Sequence, residues 1–86
     1  MEPERITFPA EYPIKVIARA DAGLRGRLDA VFARHFGDFH VDRVTMRPSA
    51  NNSFVAYTYL MSVQDASQLG PLHVELQAVD GVIMVI

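Results

Sequence analysis

The sequence contains no cysteine and no tryptophan, and from residue 51 to residue 86 it contains no lysine or arginine. Without cysteine there is no disulfide staple, zinc ribbon, iron–sulfur cluster or thiol nucleophile. No apolar run reaches the ~18–20 residues of a membrane-spanning helix. Met1–Glu11 is too acidic and proline-interrupted to read as a signal peptide. A formal charge of −2 removes the basic surplus on which non-specific nucleic-acid binding depends. The expectation is a small cytoplasmic protein with no membrane association and no cofactor.

What is present is a folding composition. With 86 residues, 50% hydrophobic and 21% charged, the chain suffices for one domain. A chain this short buries only about 60–65% of its unfolded surface, so a weak homodimer would add to a thin stability margin. Residues 1–50 hold Lys15 and seven arginines against seven acids, whereas residues 51–86 hold only Asp65, Glu75 and Asp80. Arginine suits forked pairing with carboxylate or phosphate. Some of these pairs are local, as Arg25 and Asp29 stand at the helical i,i+4 spacing.

Met1–Glu11, with Pro3 and Pro9 around Ile6 and Phe8, reads as an extended arm preceding a domain at 12–86. From Tyr12, Ile14, Val16 and Ala18 alternate with Lys15, Ile17 and Arg19, the period of a strand. Asp21 is placed to cap a helix. That helix shows Leu24, Leu28, Val31, Phe32, His35 and Phe36 on one stripe, and Gly37 is placed to end it in the left-handed region. Asp38–Arg47 reads as a second strand, with Val44 and Met46 on one face and Arg43, Thr45 and Arg47 on the other. Pro48–Ser53 is turn chemistry. Phe54–Val63 is the strongest strand pattern, with Val55, Tyr57, Tyr59, Met61 and Val63 on one face.

Asp65 and Gln68 form a capping-box pattern before a second helix whose stripe is Leu69, Leu72, Leu76 and Val79. Pro71 inside it predicts a break between Leu69 and Leu72, or a helix starting at Pro71 after a separate turn. Asp80-Gly81 turns the chain into Val82–Ile86, apolar on both faces. The order βαββαβ implies an α+β, ferredoxin-like split βαβ sandwich. Its four-stranded antiparallel sheet has the order 4-1-3-2, with both helices on one face and the other face open. Val82–Ile86 is then an unprotected edge, expected to pair in a weak dimer or to lie under the arm.

Phe8-Pro9, Tyr12, Lys15-Val16, Gly37-Asp38-Phe39, Arg47-Pro48-Ser49, Leu72, Leu76, Asp80 and Met84-Val85 together resemble the YbeD-like family of small bacterial proteins of unknown function. The resemblance runs from Phe8 to Ile86. It implies a fold similar to ACT regulatory domains, and a regulatory setting associated in some members with lipoate attachment. Two departures stand out. Gly70-Pro71 interrupts a helix that usually runs through, and Asp38–Arg47 is about two residues long for a strand here, as a bulge would make it.

Four sets of residues are candidates for function. Asp21-Ala22-Gly23-Leu24 is similar to the turn where ACT domains take effector amino acids, so Asp21, Gly23 and Leu24 are candidate ligand contacts through backbone amides. The alternative is that Asp21 caps, Gly23 packs closely and Leu24 enters the core. His40 and Asp42 share a strand face at i,i+2, but nothing supplies further metal ligands, and no metal site is expected. RNA-recognition motifs share the topology and stack bases on open-face aromatics. Here Tyr57 and Tyr59 have core parity, which argues against nucleic acid. The glycine-rich phosphate loop of acylphosphatases is missing after the first strand. No nucleophile and base are assembled, so no catalytic residue is assigned.

The fourth candidate is the open face itself, with Ile17, Leu60, Ile83 and Val85 edged by Lys15, Arg19, Arg43 and Thr45. An apolar patch with a charged rim marks an interface. The function expected is a non-enzymatic, ACT-like regulatory or adaptor module that docks a protein partner or senses a small molecule, with an RNA-recognition-like module as the alternative.

Overall fold

The computed structural model describes residues 9–86. Its elements are β1 (Ala10–Arg19), α1 (Leu24–Phe36), β2 (Val44–Pro48), β3 (Phe54–Val63), α2 (Leu69–Ala78) and β4 (Val82–Val85). One sheet has the order β2-β3-β1-β4, and all three pairings are antiparallel. This is the ferredoxin-like sandwich expected from the element order. The proposed arm falls largely on residues 1–8, outside the described residues. Its last two residues, Ala10 and Glu11, already pair with Val63 and Ser62, so β1 starts before Tyr12.

Alternation on β1 and β3 divides the molecule. Ile14, Val16 and Ala18 are buried on β1, opposite Tyr59, Tyr57 and Val55, which are buried on β3. Leu24, Leu28, Val31 and Phe32 of α1 and Leu72 and Leu76 of α2 close over them. Each fully buried side chain of this size contributes roughly 1.5–3 kcal/mol through apolar burial. Tyr59 is the largest wholly buried side chain. Its ring stacks on Phe32 with centroids 3.8 Å apart, and Phe39 meets it edge-on at 5.8 Å. Its hydroxyl donates to Asp29 Oδ1 at 2.6 Å, and Arg25 Nε donates to the same carboxylate at 2.9 Å. Burial, then the bond to Asp29, pushes the Tyr59 hydroxyl far above its ordinary range.

Three local expectations need correction. Asp38–Arg43 is not strand. His40 Nδ1 accepts from the Asp42 N–H at 3.2 Å, and the Arg43 N–H donates to the His40 carbonyl at 2.9 Å, closing a 3-10 turn over Val41–Arg43. That turn, and not a bulge, takes up the extra length. Secondly, Asp21 is not the N-cap of α1, because Gly23 occupies that place. Thirdly, Pro71 does not interrupt α2. The capping box of Asp65 and Gln68 closes a 3-10 turn over Ala66–Gln68, and α2 then begins at Leu69. Pro71 therefore falls in the first turn of α2, where its missing N–H would have had no partner. Gly37 does end α1 with φ 77°, a value that favours glycine, and its N–H returns to the Ala33 carbonyl at 2.8 Å.

Pro71→Ala should accordingly change stability by less than about 0.5 kcal/mol. Leu72→Ala, one residue on, should cost about 2–5 kcal/mol through the cavity it leaves. Urea unfolding midpoints of the two variants provide the check, and a larger loss from Pro71→Ala would show that the proline shapes the helix.

Candidate functional site

The face of the sheet away from the helices is uncovered among the described residues, and its grid follows from the pairing register. One row across the strands holds Thr45, Thr58, Lys15 and Ile86. The next holds Arg47, Ala56, Ile17 and Met84, and the next Phe54 and Arg19. In the opposite direction come Leu60 with Pro13, then Ser62 with Glu11. Lys15, Ile17, Arg19, Thr45 and Leu60 thus lie on the face proposed for them, with Ile17 and Leu60 half-buried.

Val85 does not. Between Ile17 and Ala18 the β1–β4 register shifts, because Ile17 pairs with Met84 while Ala18 pairs with Val82. Ile83 is the extra residue of this bulge, and it reverses the parity of everything after it. Val85 therefore faces Val16 and packs on the core, while Met84 and Ile86 take the open face. Ile83 remains exposed, beside them on β4. The bulge also breaks the flatness of an edge strand that carries neither charge nor proline.

Arg43 reaches the edge of this face but is not free to meet a partner. It stands at the end of the 3-10 turn and bonds to the Glu11 carboxylate, which also accepts from Ser62 Oγ at 3.0 Å. Arg43 is thereby consumed within the fold. The other ion-paired cations lie elsewhere, in Arg25–Asp29, Arg27–Asp21 and Arg34–Glu75. Among the described residues, the cations with no acidic partner are Lys15, Arg19 and Arg47, and all three project from the open face. Sequence reading put Arg47 on this face but did not single it out. It likewise put Phe54 on this face without singling it out; Phe54 stands 42% exposed opposite Arg19 as the one aromatic of this face among the described residues. Strand parity places both; the exposure of Phe54 and the lack of a described partner for Arg47 are seen only in the fold.

The turn Asp21–Leu24 is closed upon itself. Asp21 Oδ1 accepts from the Gly23 N–H at 3.1 Å, and the Leu24 N–H donates to the Asp21 carbonyl at 3.1 Å. Arg27 donates to Asp21 Oδ2 at 2.5 Å, and a Cβ on Gly23 would come within 2.8 Å of the Arg27 guanidinium. The guanidinium, followed by the Gly23 N–H, holds the Asp21 carboxyl below its usual range. Leu24 is wholly buried. Both amides proposed for a ligand are occupied inside the turn.

The histidines are scattered. His40 belongs to the 3-10 turn, with its Nδ1 3.2 Å from Asp42 Oδ2, and His73 lines a small apolar cleft of about 80 Å³ between α2 and β4. His35 Nε2 lies 3.1 Å from Glu75 Oε1, and Arg34 donates to Glu75 Oε2 at 2.6 Å, tying α1 to α2. Among the described residues no group of three or more His, Asp or Glu side chains could hold a metal ion. Nor is any of their helices long and apolar enough to cross a membrane.

Residues 3–86 match a family described as a protein of unknown function, DUF493. A UPF0250 protein of Ectopseudomonas mendocina is 37% identical, over 100% of this chain and 95% of the relative. A UPF0250 protein of Pseudomonas aeruginosa is 34% identical, over 100% of this chain and 94% of the relative. Two solved structures share the fold. The ACT domain of a GTP pyrophosphokinase of Chlorobium tepidum matches with a TM-score of 0.67 and 18% identity, covering 86% of this chain and 91% of that one. A protein of H. pylori solved in solution matches with a TM-score of 0.73 and 16% identity, covering 99% and 89%.

Arg34, and after it His35, holds the Glu75 carboxyl below its ordinary value. A lowered folded pKa stabilises above the unfolded value of about 4.3 and loses that contribution as pH falls through the folded value. The urea midpoints of the wild type and Glu75→Gln should therefore differ near neutrality and converge by about pH 3. A constant separation across that range would show that the pair adds no pH-dependent stability.

Proposed function

We propose that this chain, which belongs to the DUF493 family of proteins of unknown function, is a non-enzymatic adaptor or regulatory module that docks a protein partner on the open face of its sheet. The observation that carries the reading is the distribution of charge. Arg25, Arg27, Arg34 and Arg43 each have a carboxylate partner, whereas Lys15, Arg19 and Arg47 share one face and have none among the described residues. Between them lie Ile17 and Ala56, with Met84 and Ile86 beside them on β4. Apolar area ringed by cations fits a partner with acidic and apolar side chains, with charge guiding encounter and apolar contact holding the complex.

A non-enzymatic role is supported by the ionisable groups. Among the described residues the side chains with displaced protonation are Asp21, Arg25, Tyr59, Asp65 and Glu75; Arg25 and Tyr59 share the Asp29 carboxylate, and the other three are each held by a structural partner elsewhere. They do not converge on a cleft, as an acid–base pair must. The fold shared with an ACT domain suits a regulatory role by analogy alone. The RNA-recognition alternative is weakened by the burial of Tyr57 and Tyr59, at 7% and 0% exposure, which removes the expected stacking platform.

The test is affinity capture from a lysate of the source cell by the wild type, by Lys15→Gln/Arg19→Gln/Arg47→Gln, and by Arg25→Gln/Arg27→Gln/Arg34→Gln as a control of equal charge. The open-face variant should lose the captured partner while keeping the wild-type melting profile, and the control should keep the partner. Equal retention by both variants, or equal loss, would refute the open face as the docking surface.

A further inference from the structure

The layout of the free cations specifies more than a sign of charge. Lys15 and Arg19 stand four residues apart on β1, with Ile17 on the same face between them. At about 3.4 Å per residue their backbones are roughly 14 Å apart, the same span that four residues cover in any extended chain. Arg47 sits two strands from Ile17 in one row, about 10 Å away at ~4.8 Å per strand. The small side chain of Ala56 separates them, leaving two shallow hollows that meet there. One, of about 450 Å³, is lined by Lys15, Thr45, Arg47 and Thr58; the other, of about 220 Å³, by Ile17, Arg47 and Phe54. Glu11, the acid on this face of β1, is taken by Arg43 and Ser62 at the far end of the strand.

We infer that the partner is recognised through an extended acidic segment of the pattern acid–x–apolar–x–acid, lying along β1. Its two carboxylates meet Lys15 and Arg19, its apolar side chain rests on Ile17 and Ala56, and Arg47 receives a further carboxylate across the hollow. This rests on the docking reading above and adds the chemistry and spacing of the ligand. A helical segment would bring acids at i,i+4 to within about 6 Å of each other and miss one of the two cations. A nucleic-acid strand is disfavoured by the net charge of −2 and by a face that, among the described residues, offers one aromatic and three unpaired cations.

The experiment is an amide NMR titration of the full chain with three probes. The first is the peptide Ser-Glu-Thr-Leu-Thr-Glu-Ser with blocked ends, the second a peptide of the same composition with its glutamates adjacent, and the third oligouridylate. The spaced peptide should move the signals of Ile17, Phe54 and Ala56 and bind at least about threefold more tightly than the other two. Lys15→Gln or Arg19→Gln should each weaken it up to about fivefold, the worth of an exposed ion pair. Equal binding of both peptides on this face would overturn the spacing and leave the docking reading standing. Tighter binding of oligouridylate would overturn the protein partner, and shifts confined to other surfaces would overturn both readings.

Discussion

The alternation of β1 is the constraint on which the rest depends. β1 is paired on both sides, by β3 and by β4, so each of its side chains belongs either under the helices or on the open sheet. Lys15 and Arg19 cannot be buried unpaired without a penalty of several kcal/mol, which forces Ile14, Val16 and Ala18 inward. Through the pairing, that choice places Tyr57 and Tyr59 in the core and Thr58 and Ala56 outside. The core and the open face are two consequences of one register.

The burial of Tyr59 anchors that register from the other side. A wholly buried phenol needs a hydrogen-bond partner, and Asp29 of α1 supplies it while Arg25 neutralises the carboxylate. Sliding β3 by one residue would expose this ring and bury Thr58 unpaired. The helix α1 is therefore bound to the sheet both by apolar packing and by a directed polar contact. Such contacts specify an arrangement even where their net energy is small.

Most of this was legible in the sequence because period-two and period-3.6 patterns are physical requirements of burial. The bounds of β3, the core sets of β1 and β3, and the capping box at Asp65 and Gln68 all follow from residue type and spacing. The errors share a cause: they depend on contacts and element boundaries that hydrophobic periodicity does not encode. Val82–Ile86 is uniformly apolar, so nothing in it marks Ile83 as a bulge, and plain alternation puts Val85 on the wrong face. Asp38–Arg43 contains strand-forming residues, but the His40 ring accepts from the Asp42 N–H and winds the segment into a turn. Arg43 finds Glu11 only across the folded sheet. A proline within a helical stripe reads as a break until the position of the helix start is known, and in the first turn of α2 it is tolerated.

Val16→Glu and Ile17→Glu test the central claim most directly, because they place the same charge at adjacent positions of one strand. Urea unfolding should show Ile17→Glu within about 1 kcal/mol of the wild type, since the new carboxylate lies between Lys15 and Arg19. Val16→Glu should lose several kcal/mol, enough to unfold a domain of this size, because its carboxylate enters the core. Comparable losses from the two substitutions, or a greater loss from Ile17→Glu, would contradict the register and with it the assignment of the open face.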